Sequence, residues 1–221
     1  MSGVGPTAWI PNRAFPGVKH AKWREGPGAE KNRHAANESG FGWLSPAPCG
    51  WMSLALSLLR QPKVNMANKT YGTVSSERQK EMRGLEFVKG LASGALPLNT
   101  IAQTLGYDVV EAESGRVAIT LDPTGAHLNP WGTVHGGLTA TLLDSCMGLA
   151  IQSMLEKGVG STTLEFKISL VRAITLETGQ IRAEGRVLSC GRRIGMAEGR
   201  VTDAKGRLLA HGTTTCLIFP N

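Results

Sequence analysis

One acidic side chain stands inside the most apolar stretch of this 221-residue chain. Asp144 is the only charged residue between His135 and Leu155, a stretch of about five helical turns. An ionised carboxylate that is buried without a partner is costly, so such a group is usually paired, protonated or functional. No basic residue lies three or four positions away, which excludes pairing along the helix. Asp144 is therefore a candidate functional residue. The alternative is a carboxylate that faces a solvent gap or bonds the backbone of another element.

The apolar stretch opens with a second candidate feature, His135-Gly136-Gly137. Glycines at a helix start leave backbone N–H groups uncovered at the positive end of the helix dipole, where a developing oxyanion would be stabilised. A plain tight turn explains the same residues. Eight residues of helix separate Gly136 from Asp144 by about 12 Å, so the two cannot touch one carbonyl group from the same chain. If both act, two antiparallel helices from different subunits must meet.

The surrounding pattern predicts one helix, a short helical turn, two strands, one long helix and four strands. A helical segment follows Ser76 and ends at Gly94, and Leu138–Leu155 forms the long central helix. The short turn and the strand-like runs are Asn99–Leu105, Gly106–Glu113, Arg116–Asp122, Thr163–Val171, Gln180–Leu188, Ile194–Thr202 and Leu208–Phe219. Alternation in Thr163–Val171 predicts two faces: one carries Leu164, Phe166, Ile168 and Leu170, and the other carries Thr163, Glu165, Lys167 and Ser169.

These elements indicate an α+β fold in which an antiparallel sheet of about six strands wraps the central helix. A helix that is apolar all round needs cover on every side, and one sheet covers only one side. We therefore expect a second subunit to supply the other wall. A membrane-spanning helix is disfavoured because Leu138–Leu155 is short and contains Asp144 together with several polar residues.

The formal charge of +7 is concentrated near the amino terminus. Residues 1–65 carry 8 basic and 3 acidic side chains, with 4 of the 5 tryptophans and 7 of the 11 prolines. We interpret residues 1–65 as an irregular leader or a start codon assigned too far upstream, with Met66 as the expected start. Residues 66–105 then form an N-terminal helical segment and residues 106–221 the main domain. The nearly neutral charge of residues 66–221 disfavours nucleic acid as a partner.

The four cysteines are widely spaced and form no CxxC pair, which argues against a zinc site or a disulfide framework. A reducing compartment, the cytoplasm, fits this usage best. No secretory signal pattern is present.

The combined pattern of Asn129, His135-Gly136-Gly137 and Leu143-Asp144 resembles the hotdog-fold acyl-CoA thioesterases of the phenylacetate-degradation type, over roughly residues 106–219. The resemblance implies a hotdog fold, a dimer that commonly pairs into a tetramer, and hydrolysis of the thioester between an acyl group and coenzyme A. Coenzyme A is then part of the substrate, and no separate cofactor or metal is expected. The acyl group cannot be read from the sequence.

The resemblance also implies roles for individual residues. Asp144 attacks the thioester carbonyl or activates a water, and the amide of Gly136, beside Gly137, holds the carbonyl oxygen. His135 and Asn129 position the loop or the thioester, although a helix cap and a turn former explain them equally well. Thr163, or less favourably Thr162, places a hydroxyl near the water. The turn Gly191-Arg192-Arg193 suits the coenzyme A phosphates by charge, with a solvated turn as the alternative.

The resemblance has one departure and leaves two other functions open. Val171-Arg172-Ala173-Ile174 stands where the family commonly has Arg-Pro, which affects the expected shape of that loop. A hydratase or dehydratase of the same fold would use a His–carboxylate pair, and here His135 could reach Asp144 only from a partner chain. A non-catalytic acyl-CoA-binding module is disfavoured because a pure binder gains nothing from an unpaired carboxylate beside an acyl chain.

Overall fold

A computed structural model describes residues 69–220 of the chain. The expectations for residues 1–65, including the leader and the Met66 start, lie outside the described residues. The elements follow in the order α1 (Ser76–Lys80), α2 (Gly84–Ser93), α3 (Thr100–Leu105), β1 (Tyr107–Glu113), β2 (Arg116–Leu121), α4 (Gly136–Gln152), β3 (Val159–Leu170), β4 (Ile181–Cys190), β5 (Ile194–Asp203) and β6 (Leu208–Pro220).

The six strands form one antiparallel sheet in the order β1-β2-β4-β5-β6-β3, and α4 packs on its inner face. The predicted fold class is therefore confirmed, with every predicted strand present. Among the described strands, β1 and β3 lie at the two edges of the sheet. The side of α4 that meets the sheet is buried and carries Leu138, Thr139, Leu142, Leu143, Cys146, Met147, Ala150 and Ile151.

Glycines let the sheet approach α4 closely. A Cβ atom on Gly185 of β4 would lie 2.4 Å from the backbone oxygen of Cys146, so only glycine fits there. On β5, Gly195 and Gly199 stand against the Ile151 and Leu143 side chains in the same way. Because these inward-facing residues are glycines, the alternation of apolar and polar residues along β5 is weak in the sequence, although the strand itself is regular.

The single helix predicted after Ser76 is wrong in detail, because two helices, α1 and α2, occupy the segment. The chain leaves the helical region at Arg83, whose backbone is extended. Gly84 then starts α2 against the end of α4, where an added Cβ would lie 1.7 Å from the Gln152 carbonyl oxygen. The packing of α2 on α4 therefore fixes where the helix restarts. Val88 and Leu91 of α2 join the same buried core as α4.

A buried ion pair ties the start of the described chain to β1. The Lys69 ammonium donates to a carboxylate oxygen of Asp108 and to the carbonyl oxygen of Val109, and both charged side chains are almost completely buried. The second oxygen of Asp108 has no hydrogen-bond partner among the described residues. The pair therefore holds the strap of chain that precedes α1 against the sheet.

The outer face of the sheet carries a ladder of opposite charges. Arg116 and Arg182 each contact both Glu111 and Glu184, and Arg186 adds a further contact to Glu184. Burial raises the pKa of Glu184, but hydrogen bonds from Arg186 and Arg182 and the charge of Arg116 together lower it below its ordinary value. The ladder therefore stabilises the ionised form of Glu184.

Candidate active site

Asp144 lies on the side of α4 that faces away from most of the sheet, and its carboxylate is half-buried. The Thr163 hydroxyl on β3 donates a 2.9 Å hydrogen bond to Asp144 Oδ1. No ion pair among residues 69–220 involves Asp144. The carboxylate is thus oriented by a hydroxyl but keeps acceptor capacity for a further partner.

The prediction that Thr163 faces away from the apolar residues of its strand is wrong. The pairing of β3 with β6 shifts register between Thr163 and Glu165, which is the signature of a β-bulge. The extra residue reverses the facing of the strand, so Thr163 reaches α4 on the same side as Ile168 and Leu170. The bulge therefore brings the hydroxyl to Asp144.

A pocket of about 340 Å³ contains Asp144 and Thr163. Its remaining lining comes from α1, α2, the start of α3, α4 and the two strands β3 and β6: Gln79, Phe87, Asn99, Ser145, Gly148, Leu149, Gln152, Gly160, Ser161, Thr162, Cys216 and Phe219. Burial raises the pKa of the Cys216 thiol, and the charge of Asp144 acts in the same direction. The lining combines two aromatic rings with several hydrogen-bonding side chains.

A second pocket, of about 210 Å³, lies at the other end of α4 and contains Gly136 and Asn129. Within one chain the structure therefore separates Gly136 from Asp144, as the helical spacing requires. A Cβ on Gly136 would lie 2.8 Å from Leu170 Cδ1, so this backbone position is closely packed. Within residues 69–220, the Gly136 N–H donates no hydrogen bond.

His135 caps α4. Its Nδ1 accepts a 2.9 Å hydrogen bond from the Gly137 N–H, which leaves the Gly137 amide engaged within the chain. An imidazole that accepts at Nδ1 carries its proton on Nε2 when neutral, so the exposed His135 ring offers a donor on its outer edge. His135 therefore acts as the cap of α4 in this chain. The Gly137 N–H is occupied by this cap, whereas the Gly136 N–H has no hydrogen-bond acceptor among residues 69–220.

Asn129 braces the loop before α4. Its Oδ1 accepts from the backbone N–H groups of Trp131 and Thr133 at 2.9 and 3.2 Å, and its Nδ2 donates to the Thr133 hydroxyl at 2.9 Å. Gly132 completes the turn with a left-handed φ of +77°. Asn129 is therefore the turn former in this loop, and the loop lines the Gly136 pocket.

The turn Gly191-Arg192-Arg193 is exposed and joins β4 to β5. The Arg193 carbonyl oxygen accepts from the Ile218 N–H at 2.8 Å, and the next residue, Phe219, lines the Asp144 pocket. The arginines therefore lie at the same end of the sheet as that pocket. Neither arginine makes an ion pair with another residue in the described range.

Sequence reasoning missed several lining residues. Gln79, Phe87 and Asn99 come from the N-terminal helical segment, which packs against α4 only in the folded chain. Arg172, noted in the sequence only as a departure from a pattern, lines the Gly136 pocket and donates to the Leu208 carbonyl oxygen. No local motif marks these residues, because long-range packing alone brings them to the pockets.

Two absences hold for the described residues. Between residues 69 and 220, no group of three or more His, Cys, Asp or Glu side chains is placed to hold a metal ion. None of the helices in that range is both long and apolar enough to cross a bilayer.

A six-stranded antiparallel sheet wrapped on one central helix, with a carboxylate on that helix and glycines at its start, defines a hotdog-fold protein. The thioesterase superfamily model matches residues 132–210, which include α4, β3, β4, β5 and the start of β6. Acyl-coenzyme A thioesterase 13 of Homo sapiens is 31% identical over 108 residues, covering 48% of this chain and 76% of that protein. The chain therefore belongs to the thioesterase superfamily, which confirms the family resemblance.

Other comparisons agree with this assignment. A relative from Halobacterium salinarum is 32% identical over 99 residues, which span 42% of this chain and only 64% of that relative. The proofreading thioesterase EntH of Klebsiella pneumoniae is 29% identical and is covered over 78% of its length, against 49% of this chain. Among solved structures, the phenylacetic acid degradation-related protein of Ralstonia eutropha JMP134 has a TM-score of 0.54 at 28% identity, covering 59% of this chain and 98% of that one.

Proposed function

We propose that this protein hydrolyses acyl-CoA thioesters to a free acid and coenzyme A. The observation that carries the proposal is the half-buried Asp144 carboxylate, which accepts a 2.9 Å hydrogen bond from the Thr163 hydroxyl in a pocket whose described lining includes no cationic side chain. Relatives that are named acyl-CoA thioesterases support the substrate class. In hydrolysis, the oxygen of water adds to the carbonyl carbon, the carbon–sulfur bond breaks, and the thiolate leaves and takes up a proton.

Asp144 is proposed to remove the proton of the attacking water, or to attack the carbonyl carbon itself and form an anhydride that water then opens. Both routes need the ionised carboxylate, and both develop negative charge on the carbonyl oxygen. A backbone N–H at a helix start stabilises such a charge. The Gly136 amide is the proposed donor because the Gly137 amide already binds His135.

The complete site is proposed to form between two subunits. Gly136 and Asp144 lie in separate pockets of one chain, so the two groups can meet only if a partner supplies one of them. Edge strand β3 supports this, because it is 12 residues long and exposes Leu164 (56%), Phe166 (42%) and Leu170 (56%). Exposed apolar residues on a strand at the edge of a sheet favour pairing of that strand with a second copy of the chain. A tetramer made from two such dimers and a cytoplasmic location remain parts of this proposal.

The Gly191-Arg192-Arg193 turn is proposed to bind the phosphates of coenzyme A. Guanidinium groups match phosphate oxygens in charge and geometry, and this turn lies at the same end of the sheet as the Asp144 pocket.

Release of free thiol from a panel of acyl-CoA thioesters tests the reaction, with an enoyl-CoA assayed beside a saturated one to detect hydration. Asp144→Asn should abolish thiol release, since the amide is neither base nor nucleophile. Asp122→Asn is the matched control, because Asp122 is exposed and, among residues 69–220, its side chain accepts a hydrogen bond only from the Gln180 amide. Turnover by Asp144→Asn close to that of the unaltered protein would refute the assignment.

A mixed-subunit experiment tests the shared site. Asp144→Asn and Gly136→Val chains, each inactive alone, are co-expressed with different affinity tags, and the hybrid is purified. A site built across the interface regains one intact Asp144–Gly136 pair in each hybrid dimer, and activity returns. A site contained within one chain stays inactive in every hybrid.

A further inference from the structure

Gly148 is an unexplained glycine in the middle of α4. Glycine is among the least favourable residues inside a helix, so a helical glycine usually has a packing reason. The other glycines of the described α-helices have one: an added Cβ would collide with a neighbour at Gly84, Gly90, Gly136 and Gly137. At Gly148 an added Cβ would meet no atom of residues 69–220 within 4 Å, apart from the adjacent backbone of α4 itself.

The open space over Gly148 belongs to the Asp144 pocket. Asp144, Gly148 and Gln152 are spaced by four residues, which places them on one face of α4, and all three line that pocket. The span from Asp144 to Gln152 is about 12 Å along the helix. The missing side chain therefore leaves a groove on the helix surface that runs from Asp144 toward Gln152.

The far end of the groove is polar. Gln152 Oε1 accepts a 3.3 Å hydrogen bond from the Ser161 hydroxyl, which fixes the amide across the end of the pocket. The Gln152 amide nitrogen donates to no residue between 69 and 220. Phe87 and Phe219 line the same pocket and supply aromatic surface. An acyl group that fills this groove meets apolar walls and then a hydrogen-bond donor.

From this geometry we infer that Gly148 and Gln152 determine acyl specificity: Gly148 keeps the groove open, and Gln152 selects an acyl group with a neutral oxygen acceptor at the end far from the thioester. The inference rests on the proposed function and adds the substrate class to it. A purely hydrocarbon chain of the same length would bury the Gln152 donor without a partner, which is unfavourable.

Rates of thiol release with acetyl-CoA, hexanoyl-CoA and 6-hydroxyhexanoyl-CoA test both residues. The unaltered protein should favour 6-hydroxyhexanoyl-CoA over hexanoyl-CoA by roughly tenfold in kcat/KM, and Gln152→Met should remove that preference. Gly148→Leu should lower the ratio of hexanoyl-CoA to acetyl-CoA turnover by about tenfold. The ratio for Gly148→Ala should lie between those of the unaltered protein and Gly148→Leu. Gly125→Ala is the control, since Gly125 also has open space around it but lies outside both pockets.

The outcomes separate the inference from the proposed function. If the unaltered protein releases no thiol from any acyl-CoA, both are overturned. If it does, and Gly148→Leu leaves the chain-length ratio unchanged or Gln152→Met keeps the preference for the hydroxylated chain, only the inference is wrong. Light scattering is measured on each variant, because a changed assembly in Gly148→Leu would show that the gap is a subunit contact instead.

Discussion

The hydrogen bond from Thr163 to Asp144 offers a sharp test of how this carboxylate is positioned. Thr163→Val replaces the hydroxyl by a methyl group of similar shape, so the strand and its packing are preserved while the donor is lost. Asp144 Oδ1 then loses the 2.9 Å bond that orients it. Thr163→Ser keeps the hydroxyl and is the matched control.

The expected size of the effect follows from the kind of bond. A hydrogen bond to a charged group contributes about 1.5–3 kcal/mol net, and about 1.4 kcal/mol corresponds to a tenfold change in rate. Asp144 is half-buried, so water can replace part of the lost bond. We therefore expect the loss to lie near the lower end of that energy range, which corresponds to a decrease in kcat of about tenfold for Thr163→Val.

Steady-state hydrolysis of one good acyl-CoA substrate, followed by thiol release, measures kcat and KM for both variants. Thermal unfolding is recorded in parallel, because a large loss of stability would make the kinetic comparison meaningless. Thr163→Ser should retain most of the kcat. Equal kcat values for Thr163→Val and the unaltered protein would falsify the positioning role, and so would an equal decrease in the two variants.

Three further predictions concern the fold. Gly185→Ala should lower the free energy of unfolding by about 1–3 kcal/mol or more, since its Cβ would lie 2.4 Å from the Cys146 carbonyl oxygen; a denaturation midpoint equal to that of Gly125→Ala would contradict this. Asp108→Asn should lower the free energy of unfolding, measured by chemical denaturation, by about 3–5 kcal/mol, because it leaves the buried Lys69 ammonium uncompensated. A loss smaller than that of Glu156→Gln, which breaks the exposed pair of Glu156 with Arg83, would argue against this. Glu184→Gln should lower the free energy of unfolding at neutral pH by on the order of 1 kcal/mol. The pKa of Glu184 is lower in the folded state than the unfolded value of about 4.3. The stability difference should therefore be present at pH values above the unfolded pKa and disappear as the pH falls through the lower folded-state pKa. A difference that grows toward acidic pH would have the wrong sign.

Local pattern determined much of this protein in advance. Periodicity placed six strands and the central helix, because a residue's facing along a strand or helix follows from its position in the chain. Asp144 is a candidate functional residue because it is the lone carboxylate in the apolar stretch. The rise of a helix is enough to place Gly136 out of its reach in the same chain. These conclusions depend only on spacing, which the sequence states directly.

Tertiary structure decided what spacing cannot express. The bulge after Thr163 reverses the facing of β3, and it depends on the pairing of β3 with β6. The break between α1 and α2 depends on the contact of Gly84 with α4. Residues of the N-terminal segment, Phe87 among them, reach the Asp144 pocket only through packing against α4. Each of these features arises from contacts between residues far apart in the chain, whose geometry no local pattern records.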